Sequence, residues 1–238
     1  MGVFRKYYRI SSSNPIKLRF PKGHKFHRDM MKRDCFGNFI DVFNPQDLVV
    51  FADNCDEILL KYLRDLRSFY HFEIVETQSQ GRADSLIQLF NRIISDCDDD
   101  DLIYISEDDY LYLDDASDVF KEGIRLGDQF NLHYVGLYDH PDKYSKMYGY
   151  SEQCEVFLSG LTHWRTTISV CLSFGMTGRV FREDNELWFR HARHNHDHEA
   201  FVELRNRGRK LIIPIPGRAT HLQPPWVDRF IEKNYRIG

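Results

Sequence analysis

Apolar residues between positions 48 and 69 first form a continuous run and then recur at helical spacing. Residues 48–52 form a continuous apolar run of strand length, which ends at Asp53 and Asn54, both helix-capping types. From Asp56 onward, apolar positions recur at helical spacing while lysine and arginine occupy the other face. These apolar positions are Ile58, Leu59, Tyr62, Leu63, Leu66 and Phe69. The pattern predicts a buried strand that leads into an amphipathic helix.

The alternation continues as far as an acidic triplet, Glu-Asp-Asp, at residues 107–109. A second strand is predicted over residues 71–77, a second helix over 86–94, and an apolar strand over 102–105 that runs directly into the triplet. This βαβαβ order predicts the α/β class, with a Rossmann-like, mixed but mostly parallel central sheet flanked by helices. Such sheets bind ligands beyond the carboxyl ends of their strands, where Asp53 and the triplet fall.

The second half of the chain is less regular in its pattern. Strands are predicted at residues 133–138, 155–158, 166–174 and 211–215, and a helix at 197–207. We therefore expect a mixed sheet with irregular loops over the active face in residues 130–238. A length of 238 residues is typical of one α/β domain, so a single unit is predicted.

Charge and cysteine content exclude several kinds of partner. The 32 basic and 36 acidic residues give a net charge of -4, so no overall field attracts nucleic acid. The segment from Arg5 to Arg33 is locally basic, which predicts a basic wall, that is, a positively charged surface, near a bound phosphate. The five cysteines lack C-x-x-C spacing, and no apolar run approaches the roughly 18 residues of a membrane span. A cytoplasmic location is expected, in the host cytoplasm if the chain is viral.

The acidic triplet is the main candidate for chemistry. On an extended strand Glu107 and Asp109 point to one side and Asp108 to the other, so the three carboxylates repel one another unless a cation joins them. Carboxylates suit Mg²⁺ or Mn²⁺, which commonly bridge one or two of them to a nucleoside diphosphate. The alternative is a solvated acidic turn.

Four histidines crowd residues 191–198 and raise the alternative of a zinc site, although a solvated polar loop is the commoner state. His221 follows a predicted strand and is a separate candidate for a metal ligand. Asp197 and Glu199 lie at the predicted start of a helix, where a carboxylate can cap the helix or accept a proton from a hydroxyl. Arg82 and Arg165 are candidates for phosphate contacts, with surface positions as the alternative.

Several ordered motifs together resemble the GT-A-type nucleotide-diphospho-sugar glycosyltransferases, in particular small enzymes of bacteria and of large DNA viruses such as chlorella viruses. The motifs are Asn38-Phe39, FADNC at 51–55, ISEDDYL at 105–111, LYDHPDKY at 137–144, HWRTT at 163–167, PIPG at 214–217 and Thr220-His221. The triplet stands where that family has its D-x-D motif, with Glu107 in place of the first Asp. The resemblance covers most of the chain.

The resemblance implies a GT-A fold over residues 1–238, with a nucleotide-sugar half up to about residue 115 and an acceptor half from about 116. It implies donor contacts at Asp53, Asn54, Gly81, Arg82, Asp84 and Asp108, and coordination of Mn²⁺ or Mg²⁺ by Asp109 and His221. It implies acceptor contacts at Asp139, His140, His163, Trp164 and Arg165. Asp197 resembles the inverting base, with Glu199 and Asp139 as competitors for that role.

The expected activity is metal-dependent transfer of a sugar from a nucleotide donor, UDP-sugar favoured, to a hydroxyl of a glycan acceptor, with inversion. A sugar nucleotidyltransferase shares a related fold, but it normally opens with a Gly-rich phosphate loop that the N-terminal segment lacks. A metal-dependent hydrolase built on Asp109, His221 and the histidine cluster is a second alternative. A carbohydrate-binding module without enzymatic activity is the third.

Overall fold

A computed structural model describes residues 2–12, 32–145, 152–193, 197–222 and 227–228, without the side chains of Asp128 and Ser145. The strands are β1 (Phe4–Ser11), β2 (Leu48–Asp53), β3 (Glu73–Thr77), β4 (Leu102–Ser106), β5 (Tyr110–Tyr112), β6 (Tyr134–Gly136), β7 (Val156–Leu158), β8 (His163–Thr167), β9 (Phe174–Thr177), β10 (Leu211–Ile215) and β11 (Ala219–His221). The helices are α1 (Lys32–Phe43), α2 (Glu57–Arg67), α3 (Arg82–Asp96), α4 (Ala116–Phe130), α5 (Asp142–Ser145), α6 (Gly178–Ala192) and α7 (Asp197–Asn206).

Nine of these strands form one large mixed sheet in the order β3-β2-β1-β4-β9-β6-β10-β8-β7. The first four strands in that order pair in parallel, as the βαβαβ pattern predicts. β9 pairs antiparallel with both β4 and β6, and β8 pairs antiparallel with both β10 and β7. A second, two-stranded antiparallel sheet joins β5 to β11. The α/β class with helices on a mixed central sheet is confirmed.

The parallel part of the sheet includes β1, which lies between β2 and β4 and is a strand that the sequence pattern did not reveal. Tyr7 and Tyr8 are both fully buried because successive side chains of a strand face opposite sides of the sheet. Tyr8 packs in an aromatic cluster with Phe36 and Phe39 of α1, whereas Tyr7 belongs to the cluster on the side of α3 and α6. β1 escaped prediction because it also carries buried basic residues.

The first predicted strand and helix differ from the structure at their junction. β2 extends to Asp53, and the side chain that caps α2 belongs to Asp56, whose carboxylate accepts from the backbone N–H of Leu59 at 2.8 Å. Ile58 and Phe69 were expected on the buried face, yet 75% and 81% of their surfaces are exposed. Phe69 lies beyond the end of the helix, so helical spacing does not apply to it.

The strand predicted at residues 166–174 is wrong. β8 ends at Thr167 and β9 begins at Phe174, and the intervening residues 168–173 form a loop. Cys171 and Leu172 both adopt left-handed backbone conformations, with φ of 52° and 62°. Those angles are incompatible with a strand, although the apolar side chains of this segment are typical of one.

The sheet runs through both the N-terminal part of the chain and the part that follows residue 115. β9 enters between β4 and β6, and Gly175 makes this close approach possible. A Cβ atom at Gly175 would overlap the carbonyl oxygen of Ile103 and the ring of Phe120. Within the described residues, no helix combines the length and apolarity needed to cross a membrane.

Candidate active site

The acidic triplet lies at the carboxyl end of β4, and each of its carboxylates faces a cationic side chain. Glu107 pairs with Arg9 at 2.8 Å, Asp108 with Lys32 at 2.7 Å, and Asp109 with His221 at 2.8 Å. Three cationic groups of the protein itself therefore relieve the repulsion within the triplet. Repulsion alone does not require a metal ion here; what matters is the coordination that remains available.

Asp109 and His221 are brought together by the small sheet, in which Tyr110 of β5 pairs with His221 of β11. Burial lowers the pKa of His221, but the Asp109 carboxylate outweighs this and raises it to about 10. Burial opposes ionisation of Asp109, but the charges of His221, Lys32 and Arg82 hold its pKa below its usual range. The pair is therefore an ionised carboxylate against an imidazolium.

The Asp109 carboxylate has one oxygen to spare. Its Oδ2 atom bonds to His221, while its buried Oδ1 atom has no hydrogen-bond partner among the described residues. The side chain as a whole is 32% exposed, so the carboxylate lies near the surface although Oδ1 itself is buried. An unsatisfied buried carboxylate oxygen is costly unless a ligand completes it.

These two residues fit a divalent cation that arrives with a substrate. The Asp109 carboxylate suits Mn²⁺ or Mg²⁺, whereas His221 must lose the proton of its imidazolium before a ring nitrogen can coordinate the ion. No group of three potential ligands occurs in the parts of the chain that the structure describes. A six-coordinate ion held here would therefore take most of its ligands from phosphate and water, as nucleotide-associated Mg²⁺ usually does.

The predicted donor residues line the same edge beside the triplet. Asp53 ends β2, and its Oδ1 atom accepts from Thr77, from the backbone of Ser79 and from Asn54, at 3.0, 2.9 and 3.3 Å. The Asn54 amide also donates to the carbonyl of Ser79 at 3.0 Å. These bonds fasten the loop after β3 to the end of β2.

That loop leads into α3 through Gly81, whose φ of 101° favours glycine. Asp84 accepts from the backbone N–H of Gln80 at 3.0 Å, so it shapes the loop from within the helix. Arg9 approaches the carbonyl of Arg82 at 3.5 Å while pairing with Glu107. Asp53, Asn54, Gly81, Arg82, Asp84 and Asp108 thus belong to one continuous edge.

Lys32 connects this edge to α1. Besides its pair with Asp108, its ammonium donates to the carbonyl and hydroxyl oxygens of Ser11, at 2.6 and 3.3 Å. The backbone N–H of Ser11 donates to Asp108 at 2.9 Å. Burial raises the pKa of Asp108 to about 6 even though Lys32 opposes that shift. Two members of the basic N-terminal segment, Arg9 and Lys32, therefore contact the triplet.

His140 approaches from the other half of the sheet. Its Nδ1 atom lies 2.7 Å from Asp142, and Cys171 lies near enough to His140 and His221 to influence the pKa of both. Burial lowers the pKa of His140, but Asp142 and Cys171 outweigh it and raise the pKa to about 9. Cys171 thus connects the predicted acceptor residue His140 with the predicted metal ligand His221.

The other predicted acceptor residues differ in burial and in their partners. Asp139 and Arg165 form a buried ion pair at 2.8 Å, so their charged groups bind each other. His163 is exposed at the start of β8. Trp164 is fully buried against α4 and donates to the Ser159 hydroxyl at 2.9 Å, so its ring has no free face for stacking on a sugar.

Asp197 begins α7 and binds the loop between β8 and β9. Its Oδ2 atom accepts from the backbone N–H of Val170 at 2.8 Å and from the Ser169 hydroxyl at 3.2 Å. Of the histidine cluster, His191 pairs with Glu203 at 2.9 Å, which leaves its Nε2 atom committed to a carboxylate. His194 and His196 lie outside the described residues.

A cavity of about 680 Å³ lies at the opposite edge of the sheet, near the amino ends of β1, β2 and β3. It is lined by Arg5, Asp47, Tyr70 and Arg92, among others. Arg5 and Arg92 are both engaged in ion pairs there. The chemistry-bearing residues converge at the carboxyl edge, so cavity size does not locate the site.

The fold and this edge define an α/β protein with an acidic site at the carboxyl ends of a large mixed sheet. No family model and no curated protein matches the sequence. Among solved structures, the chain is similar to a protein assigned as a glucose-1-phosphate thymidylyltransferase from Bacillus anthracis, in complex with sucrose. The TM-score is 0.56 at 10% identity, over 99% of this chain and 98% of that one. At that identity the likeness establishes the fold alone.

Proposed function

We propose that the chain is a glycosyltransferase that moves a sugar from a nucleoside-diphosphate donor, UDP-sugar favoured, to a hydroxyl of a glycan acceptor, with a divalent cation and with inversion. The observation that carries this proposal is the Asp109–His221 pair at the carboxyl edge, with a buried carboxylate oxygen that lacks a partner. The similarity in fold to a protein assigned to nucleotide-sugar synthesis supports a donor of this kind.

In this proposal the donor nucleotide binds along the edge formed by Asp53, Asn54 and the loop 79–84. Asp53 uses one carboxylate oxygen to fasten that loop, and its other oxygen accepts N–H or O–H groups of the nucleoside. The diphosphate faces Asp109 and His221, the residues that would hold Mn²⁺ or Mg²⁺. Such an ion would supply positive charge against the departing nucleoside diphosphate.

Fixed cations of the chain assist the same departure. Arg9 and Lys32 are held in place by Glu107 and Asp108, and Arg82 is close enough to lower the pKa of Asp109. Preorganised charges of this kind stabilise a developing anion without reorganising during the reaction. Glu107, in the position of the first Asp of D-x-D, accordingly acts by orienting Arg9.

The acceptor binds on the side of His140 and the loop 168–173. Asp197, the proposed base, uses Oδ2 to hold that loop, which leaves Oδ1 to accept the proton of the attacking hydroxyl. His163 contributes from its exposed position, whereas Asp139 and Arg165 shape the acceptor side as a buried pair. Trp164 supports this side from the core.

Calorimetric titration of UDP and GDP, with and without Mn²⁺, tests the proposal. We expect Mn²⁺-dependent binding of one nucleotide by the wild type and its loss in Asp109→Asn. Asp101→Asn is the matched control, because Asp101 is also a paired carboxylate but lies at the opposite edge. Absence of binding to either nucleotide with either metal, or equal losses in both variants, contradicts the proposed donor site.

A sugar nucleotidyltransferase is the second candidate, favoured by the assignment of the structural neighbour. The two activities release different products from different substrates. Glycosyl transfer releases a nucleoside diphosphate from a nucleotide sugar, whereas nucleotidyl transfer releases pyrophosphate from a nucleoside triphosphate and a sugar 1-phosphate. Incubation with each substrate set, followed by assay of both products, separates them; pyrophosphate alone would replace the first proposal with the second.

A further inference from the structure

The loop between β8 and β9 holds two consecutive non-glycine residues in left-handed conformations. Cys171 and Leu172 have φ of 52° and 62°, and neither is of the Asn or Asp type that tolerates this region well. Such conformations persist only where surrounding contacts impose them, and they cluster at functional sites. The contacts that impose the left-handed conformations of Cys171 and Leu172 therefore point to the role of the loop.

Tyr110 provides the central contact. Its hydroxyl lies 3.1 Å from the carbonyl oxygens of both Val170 and Cys171, to which it donates. The ends of the loop are tied to other residues of the site: Val170 to Asp197, and the Ser173 hydroxyl to the backbone N–H of Glu107 at 3.1 Å. The loop is thus clamped between the acidic triplet and α7.

The ring of Tyr110 has a second contact in the donor site. It stacks on the imidazole of His221, with ring centroids 5.1 Å apart and planes inclined by 14°. Tyr110 also follows Asp109 directly in the chain and is fully buried. One side chain therefore borders a proposed metal ligand on each side and holds the loop that carries Cys171, a residue near enough to His140 and His221 to influence the pKa of both.

We propose that Tyr110 is a positioning residue of the donor site: its ring fixes the plane of His221, and its hydroxyl fixes the strained loop against His140 and His221. This inference rests on the proposed function only for its effect on ligand binding. The arrangement of the loop and the imidazole is a property of the protein without ligand, and it can be measured separately.

Tyr110→Phe removes the hydroxyl and keeps the ring, and Tyr112→Phe is its matched control. Tyr112 lies on the same strand and is equally buried, but its hydroxyl bonds to Ser106 at 2.7 Å and not to the carbonyls of Val170 and Cys171. Both variants lose a buried hydroxyl, so both are expected to lower the melting temperature. Only Tyr110→Phe is expected to weaken Mn²⁺-dependent nucleotide binding, by about tenfold, as losses of supporting residues around metal sites do.

Alkylation by iodoacetamide, mapped by mass spectrometry, gives the readout that needs no nucleotide. The rate at Cys171, relative to the exposed Cys154 in the same molecule, is expected to rise about fivefold in Tyr110→Phe, because loss of a hydrogen bond loosens the loop. Tyr112→Phe should leave that ratio unchanged. If the two variants behave alike in alkylation, Tyr110 does not position the loop and the inference is overturned.

The two assays separate failure of the inference from failure of the proposed function. If the wild type binds no nucleotide but the alkylation ratio changes only in Tyr110→Phe, the donor assignment fails and the role of Tyr110 in the loop stands. If nucleotide binds and both variants bind it equally well, the positioning role in the donor site is overturned.

Discussion

The two edges of the sheet around β1 and β4 each hold an aspartate, and the two carboxylates differ in how fully they are hydrogen-bonded. At the amino edge, Asp101 accepts from the backbone N–H groups of Val3 and Asp98, at 2.7 and 3.0 Å, and from Arg5 at 2.6 Å. Both of its oxygens are occupied. At the carboxyl edge, Asp109 has one oxygen on His221 and the other without a partner among the described residues.

Asp101 and Asp109 thus differ in how fully their carboxylates are hydrogen-bonded. A fully bonded carboxylate contributes to stability through its native partners. A carboxylate with an unused buried oxygen gives up part of that contribution, which natural proteins tolerate where a ligand completes the bonding. The contrast between Asp101 and Asp109 is the reason why we propose the carboxyl edge as the site of ligand binding.

The largest expected effect concerns a fully bonded pair on the acceptor side. Arg165→Met leaves Asp139 buried without its guanidinium partner, so we expect a loss of about 3–5 kcal/mol in the free energy of unfolding. Urea unfolding measures this loss. Adding Asp139→Asn should recover part of it, because the unpaired charge is removed. A loss below about 1 kcal/mol would show that the Asp139–Arg165 ion pair contributes little to the stability of the acceptor side.

A medium effect is expected when the same substitution is made at both edges. Asp101→Asn removes a charged acceptor that serves three donors, so we expect a loss of about 2 kcal/mol. Asp109→Asn removes a carboxylate that serves one donor, and His221 then loses its proton because burial lowers its pKa, so a smaller loss of about 1 kcal/mol is expected. Thermal and urea unfolding of both variants provide the comparison. Equal losses would remove the distinction between the two edges.

The smallest expected effect lies on the surface, away from both edges. Hydrogen bonding by His191, together with Arg190 and Arg207, lowers the pKa of Glu203 to about 2. A lowered folded-state pKa stabilises the protein above the unfolded value near 4.5, and the gain disappears as pH falls toward 2. Glu203→Gln should lower the melting temperature slightly at pH 7, and the gap from wild type should narrow between pH 5 and pH 3. A gap that widens would contradict this sign.

The sequence predicted the parallel part of the sheet because its strands are continuous apolar runs and its helices have apolar faces. β1 was missed since buried Lys6 and Arg9 interrupt its pattern. The loop at residues 168–173 was mistaken for a strand because β-branched and apolar side chains are typical of strands. Its conformation depends on Tyr110 and Asp197, which are distant in sequence.

For the site, the triplet and His221 were recognisable as candidates, but their partners were not. A basic wall was predicted from the N-terminal segment, yet nothing in one sequence selects Arg9 and Lys32 from its other cations. Their selection depends on the pairing of β1 with β4 and on the position of α1. Trp164 looked suitable for a sugar contact because burial cannot be read from residue type alone.

The insertion of β9 between β4 and β6 also has a consequence for how the chain folds during synthesis. β1, β2, β3 and β4 can pair as soon as residues 4–106 have emerged, but the free edge of β4 must wait for residues 174–177. Until then its unpaired backbone groups offer a template to other chains. We therefore expect the edge of β4 to be open to pairing with other chains after β4 has formed and before β9 is available.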